Sequence, residues 1–262
     1  MLGAIAGDII GSVHEGARTK TKDFPLFVDG SEFTDDTVLT VAVAEHLLHG
    51  RDYVDLFHEY AHAFPGRGYG GSFQAWSDRR LREPYNSWGN GSAMRVSPVG
   101  WVGRSLDETL AMARESAEVT HNHPEGIRGA QATAAAMYIA RTGGSKADIK
   151  AFVEREIGYD ISRTLEEIRS GYEFDVSCQG SVPESIIAFL EADGFEDTLR
   201  NAISLGGDAD TMACIAGGIA EAFFGIPEDI RVQSLARLDR NLRNVIDRFY
   251  ATHSCGPKRH AQ

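Results

Sequence analysis

The sequence predicts an all-α fold, a compact helical bundle forming one domain over residues 1–262. Three observations lead there. Apolar residues recur at helical spacing in one segment after another, almost nothing alternates with the period of two that a strand requires, and no linker, repeat or low-complexity block divides the chain. With 262 residues and 42% hydrophobic content, the chain can bury a full core and sits near the upper end of what one domain holds.

Taken in order, Leu2 to Val13 is dense in apolar residues, with glycines at 3, 7 and 11, and predicts a buried helix packed closely on a neighbour. The segment is too short for a membrane GxxxG pair and Asp8 interrupts it. His14-Glu15-Gly16 ends that helix, and residues 17–31 form a loop with Arg18, Lys20 and Lys22. Thr34 stands where an N-cap belongs, ahead of a helix that continues through Leu48. Tyr53 to Ala63 is a further amphipathic helix. Gly66 to Gly71 is a flexible loop with neither the preceding strand of a dinucleotide fold nor the Lys-Ser/Thr of a P-loop. Phe73, Trp76 and Leu81 mark a short helix, and another opens at Ser92.

Leu106 to Val119 is helical, and Pro124 starts an alanine-rich helix. Lys146 to Glu156 and Ser162 to Ile168 follow as amphipathic helices. Phe174 to Cys178 is the one candidate for an extended piece. Helices are then expected over Val182 to Ala192, Phe195 to Ile203, Met212 to Phe224 and Gln233 to Phe249, with a frayed polar tail from Thr252.

Composition excludes several functions. A net charge of −12 argues against nonspecific binding to a phosphate backbone. No apolar run reaches the roughly 20 residues that span a bilayer, and the first residues carry no basic n-region. Cys178, Cys214 and Cys255 fall in neither a CxxC nor a zinc pattern, so buried thiols are expected rather than disulfides. The expectation is a soluble, cytoplasmic monomer.

Two acidic clusters stand out. Thr34-Asp35-Asp36-Thr37 and Gly207-Asp208-Ala209-Asp210-Thr211 each lie at the mouth of an apolar helix. Acidic residues in a first turn complement the helix dipole, which accounts for either cluster taken singly. If the two helices pair, however, Asp35, Asp36, Asp208 and Asp210 meet with the hydroxyls of Thr34 and Thr211. That all-oxygen set suits Mg²⁺ or Mn²⁺ better than zinc, and four carboxylates neutralise two divalent ions. Such a centre can orient sugar hydroxyls and activate water. Gly89-Asn90-Gly91-Ser92 places backbone amides at a helix mouth, either as an ordinary turn or as a phosphate cradle. His121-Asn122-His123 has no third ligand at a zinc interval, so a histidine that hydrogen-bonds ligand hydroxyls fits better.

Five ordered motifs give the chain a resemblance to the ADP-ribosylglycohydrolases of the dinitrogenase-reductase-activating type. They are Gly3 to Ser12 with Glu15, Phe33 to Thr37, Gly89 to Arg95, Thr120-His121, and Gly206 to Thr211. The resemblance spans nearly the whole chain. It implies an all-α fold with a cleft for two Mg²⁺ or Mn²⁺ ions, and hydrolysis of the bond between ADP-ribose and an acceptor, with ADP-ribose as product. It makes Thr34, Asp35, Asp36, Asp208, Asp210 and Thr211 metal ligands, Gly89, Asn90, Gly91 and Ser92 a diphosphate cradle, and His121 a substrate contact. Asp35 or Asp36 becomes the base or the orienter of water, Glu15 a gate at the mobile entrance, and Asp8 a brace for the first helix. Residues 174–185 match no motif and are the candidate acceptor side. The resemblance leaves the acceptor open, and the alternative function is a non-catalytic binder of ADP-ribose or a related metabolite that keeps the fold and metals.

Overall fold

The computed structural model describes residues 1–253. Its helices, in order, are α1 (Leu2–Gly11), α2 (Asp35–His49), α3 (Tyr53–Ala63), α4 (Gly71–Asp78), α5 (Gly91–Met94), α6 (Ser97–Val102), α7 (Leu106–Glu118) and α8 (Pro124–Arg141). They continue as α9 (Lys146–Phe152, running on into a π-turn over Val153–Ile157), α10 (Leu165–Arg169), α11 (Cys178–Leu190), α12 (Phe195–Ile203), α13 (Ala209–Phe224), α14 (Glu228–Ala236) and α15 (Arg240–His253). Among the described residues the one β-type pairing is an isolated bridge between Gly89 and Ser177, and no helix is long and apolar enough to cross a membrane.

The glycine spacing of the first segment has a direct structural counterpart. α1 is buried along its whole length and lies antiparallel against α13. A Cβ on Gly7 would sit 2.0 Å from the Ala213 carbonyl oxygen, and one on Gly11 would sit 2.5 Å from Asp210 Cα. Only glycine permits that approach. The far end of the pair is closed by Glu221 of α13, which accepts hydrogen bonds from the Met1 ammonium (2.6 Å), the Gly3 amide (2.7 Å) and the Tyr250 hydroxyl (2.6 Å). Orphan donors at the start of α1 and the last helix are thereby tied to one buried carboxylate. Around this central pair the other helices bury a continuous apolar core, in which Trp76, Phe57, Phe189 and Phe249 are among the largest fully buried side chains.

Several sequence expectations require correction. The expected helix over Gln233 to Phe249 is two helices: apolar periodicity runs through the break, but Leu238 turns inward and Asp239 Oδ1 caps the Asn241 amide at 2.7 Å. The candidate extended piece over Phe174 to Cys178 is reduced to the single bridge at Ser177, and Cys178 is already helical. α11 begins there, four residues earlier than the periodicity suggests, because Ser177 Oγ accepts the Gly180 N–H as an N-cap at 3.1 Å. Pro183 lies inside α11. α10 starts at Leu165, set by a Thr164–Glu167 capping box. Leu81 lies outside α4 and is exposed. The expectations for Cys255 and for the tail beyond His253 lie outside the described residues.

Candidate active site

The site grows from the end of the α1–α13 contact opposite Glu221. Asp8, fully buried on α1, accepts from the Thr34 amide (3.0 Å), the Thr34 hydroxyl (2.7 Å), the Thr37 amide (3.1 Å) and the Thr37 hydroxyl. Asp8 therefore braces the mouth of α2 onto α1, rather than α1 itself. Thr34 is the N-cap of α2 and its Oγ1 accepts the Asp36 amide at 3.3 Å. Its proton goes to Asp8, so one lone pair is left for another ligand. The acid-bearing helices do not pair along their lengths as the sequence suggested: α13 packs mainly along α1 and only slightly on α2. Their mouths nevertheless meet, with Thr211 Oγ1 donating to Asp36 Oδ1 at 3.2 Å.

Around that meeting point lie Asp8, Asp35, Asp36, Asp208, Asp210 and Glu15. Carboxylate oxygens of Glu15, Asp208 and Asp210 lie within 4.8 Å of one another. Asp36 Oδ2 is buried without a hydrogen-bond partner. None of the ion pairs among the described residues includes any of the six. Burial first, and the neighbouring Asp210 charge second, push the carboxyls of Asp35, Asp36 and Asp208 well above the usual range, and Asp8 up to about 7. Glu15 is raised by the same two causes in the same order. A set of oxygen donors this unfavourable without positive charge fits divalent cations, and the orphaned Asp36 Oδ2 is a buried acceptor of the kind such an ion satisfies.

A cleft of about 370 Å³ opens above these carboxylates. Thr34, Asp35, Asp36, Asp208, Asp210, Thr211 and Glu15 line one side, and Gly89, Asn90, Gly91 and His121 line another. The residues of the glycine loop are not equivalent. Asn90 turns its side-chain amide to Asp208 Oδ2 (2.8 Å) and Ser181 Oγ (3.2 Å), so it fixes the Asp208 carboxylate. Ser92 does not line the cleft: its hydroxyl is buried and donates to Gly126 O at 2.6 Å, locking the loop to the start of α8. His121, 5% exposed, stands behind the glycines, its Nε2 3.0 Å from where a Cβ on Gly91 would be.

Residues without a role in the sequence reading complete the wall. Tyr85 and Arg95 line the cleft, as do Gly68, Gly70, Gly71 and Ser72. The 66–71 loop is pinned to the mouth of α2: Arg67 O accepts the Asp35 amide at 2.7 Å, and its guanidinium lies 4.0 Å over Phe33. The glycine spacing was visible in sequence, but it resembles no known nucleotide loop and so carried no position. Val176 lines the cleft because the Asn90 amide bonds to its carbonyl at 2.8 Å, which places residues 174–178 beside the glycine loop. Glu15 sits in the turns after α1, and the far foot of that segment is Lys20, whose ammonium donates to Arg169 O (2.9 Å), Tyr172 O (2.6 Å) and Leu205 O.

Comparison with known proteins bears on this geometry. The ADP-ribosylglycohydrolase family profile matches residues 1–257. The human ADP-ribosylhydrolase ARH3 is 28% identical over 91% of this chain and 92% of its own length. The ADP-ribosylarginine hydrolase Tri1 of Pseudomonas putida (strain GB-1) is 27% identical over 86% of this chain and 70% of its own. A solved structure described as an ADP-ribosylglycohydrolase-related protein complex superposes with a TM-score of 0.73 at 23% identity, covering 96% of this chain and 97% of that one, which shows a shared fold.

Proposed function

The chain belongs to the ADP-ribosylglycohydrolase family, and from that premise we propose that it is a dimetal-dependent hydrolase cleaving the glycosidic bond between ADP-ribose and an acceptor. The observation that carries the reading is the convergence of five carboxylates, Glu15, Asp35, Asp36, Asp208 and Asp210, with Asp36 Oδ2 unpartnered, in a cleft that the glycine loop also lines. Thr34, Asp35, Asp36, Asp208, Asp210 and Thr211 are the residues that would hold Mg²⁺ or Mn²⁺. Bound there, the ions supply charge neutralisation and Lewis acidity.

The protein's own groups do the rest. Asp35 lines the open cleft, where its carboxylate can take a proton from attacking water. Water adds at the anomeric carbon as the bond to the acceptor breaks; its proton passes to Asp35 and on to the acceptor, which leaves with the bonding pair as the neutral, protonated group. Asp36, more deeply buried and held by Thr211, is better placed to ligate than to move a proton. The backbone of residues 89–91 holds the diphosphate, with His121 beside it and Ser92 anchoring the loop from behind. Glu15 closes over bound substrate. The acidic surface charge supports a protein acceptor or small molecule over nonspecific nucleic-acid binding, and the reading includes a cytoplasmic monomer.

The test is release of free ADP-ribose from arginine-linked and serine-linked peptides, with Mg²⁺, Mn²⁺ or chelator. Metal-dependent release on either linkage is expected. Tight binding of ADP-ribose with no release from any substrate would favour the binding-protein alternative, and metal-independent release would overturn the dimetal reading.

A further inference from the structure

Arg95 is the one fully buried arginine of the core, and it forms no ion pair among the described residues. Its Nη2 donates to Ser116 O (2.8 Å) and Thr120 Oγ1 (2.9 Å), its plane lies 4.4 Å over Phe57, and Nε and Nη1 have no partner. Leaving donors of a buried cation unmatched costs stability, so something other than stability accounts for its presence. Its link to the cleft is short. Thr120 is fully buried, and its Oγ1 is 2.8 Å from His121 Nδ1. The other ring nitrogen, Nε2, faces the glycine loop.

We propose that Arg95 and Thr120 are positioning residues that hold His121 as the neutral Nε2–H tautomer, aiming one fixed hydrogen-bond donor at an oxygen of the bound ligand beside Gly91. The argument is a count of protons. A guanidinium can only donate, so Thr120 Oγ1 accepts from Arg95. Its own proton goes to Nδ1, the other hydrogen-bond partner of Oγ1. The hydroxyl proton then has an acceptor, and Nε2 must carry the ring hydrogen. In the reverse arrangement Nδ1 donates to Thr120, and the proton of that fully buried hydroxyl loses the acceptor. Burial and the adjacent Arg95 charge both lower the His121 pKa well below the usual histidine value, which keeps the ring from holding two protons. Arg95 itself, pushed down to about 10 by burial, stays charged at neutral pH. A neutral donor suits phosphate or ribose oxygens without adding a second cation to the wall.

The ligand identity rests on the reading of the cleft as an ADP-ribose site; the tautomer does not. Two-bond ¹H–¹⁵N spectra of the full chain with Mg²⁺, with the His121 signals identified by their loss in His121→Phe, report ring protonation directly. The wild type is expected to show a protonated Nε2 and a bare Nδ1. Thr120→Val should mix the tautomers and weaken ADP-ribose roughly tenfold by calorimetry, while Thr120→Ser restores both. A wild-type spectrum with the proton on Nδ1 overturns the proposal. An unchanged tautomer in Thr120→Val also overturns it. The expected tautomer in a protein that binds no ADP-ribose would leave the relay standing and sink the functional reading instead.

Discussion

Helix α13 carries a buried acidic residue at each end, and the two ends are treated in opposite ways. At Glu221 the carboxylate meets the Met1 ammonium, a backbone amide and a tyrosine hydroxyl, so its charge is matched inside the fold. At Asp210 the neighbours are Asp8, Asp35, Asp36, Asp208 and Glu15, and no ion pair among the described residues includes any of them. The same helix and the same burial thus separate a carboxylate that holds the structure together from carboxylates that strain it. A cluster left unmatched next to a matched one is the mark of a site built for an external cation.

The comparison breaks most sharply in activity. Asp210→Asn is expected to lose hydrolysis by on the order of a thousandfold while leaving the helices intact, and to raise the stability of the chelated protein because one repelling charge is gone. Full metal occupancy by elemental analysis together with wild-type turnover would remove Asp210 from the ligand set. Glu221→Gln should do the reverse: it leaves the Met1 ammonium buried without its partner, costs about 3 kcal/mol in urea denaturation, and alters the turnover of the folded fraction little. If the two variants change stability in the same direction, the contrast between the ends of α13 is wrong.

pH sharpens it next. Carboxyls that titrate higher in the folded than in the unfolded chain bind more protons when folded, so stability falls as pH rises between the two values. For Asp8 that window runs from about 4 to about 7, and Asp35, Asp36 and Asp208 act in the same sense. The chelated protein should therefore lose about 2 kcal/mol or more between pH 4.5 and 7.5, and saturating Mg²⁺ should remove most of the slope. Flat stability without metal would mean the carboxylates are not strained. The smallest effect is expected at Gly91→Ala. Its Cβ would press on the His121 ring at 3.0 Å, weakening ADP-ribose about tenfold with metal content unchanged, which calorimetry and elemental analysis resolve separately.

What sequence made legible follows from which signals are local. Thr34 as a cap, the acidic first turn of α2 and the span of α12 are decided by residues close in the chain. The convergence of the two helix mouths was inferred correctly for an incomplete reason, since the element that joins them is α1, through Asp8 and the Gly11 contact. Asn90 and Ser92 belong to a recognisable loop, yet the direction of each side chain depends on Asp208 and Gly126, more than thirty residues away. Arg95 stood inside a quoted motif without a role because burial, unlike charge, is invisible in a letter. The break at Leu238 was missed because apolar periodicity continues across it.

The three carbonyls around Lys20 have a consequence for the segment that carries Glu15. With Gly11 seated on α13 at one foot and the ammonium seated on Arg169, Tyr172 and Leu205 at the other, residues 12–19 form an arch whose span is already closed. The chain entropy of bringing its ends together is lost once, when the protein folds. Glu15 is thereby held with a carboxylate oxygen within 4.8 Å of those of Asp208 and Asp210. Replacing Lys20 by methionine would release one foot, so that holding Glu15 there would again require ordering a free loop.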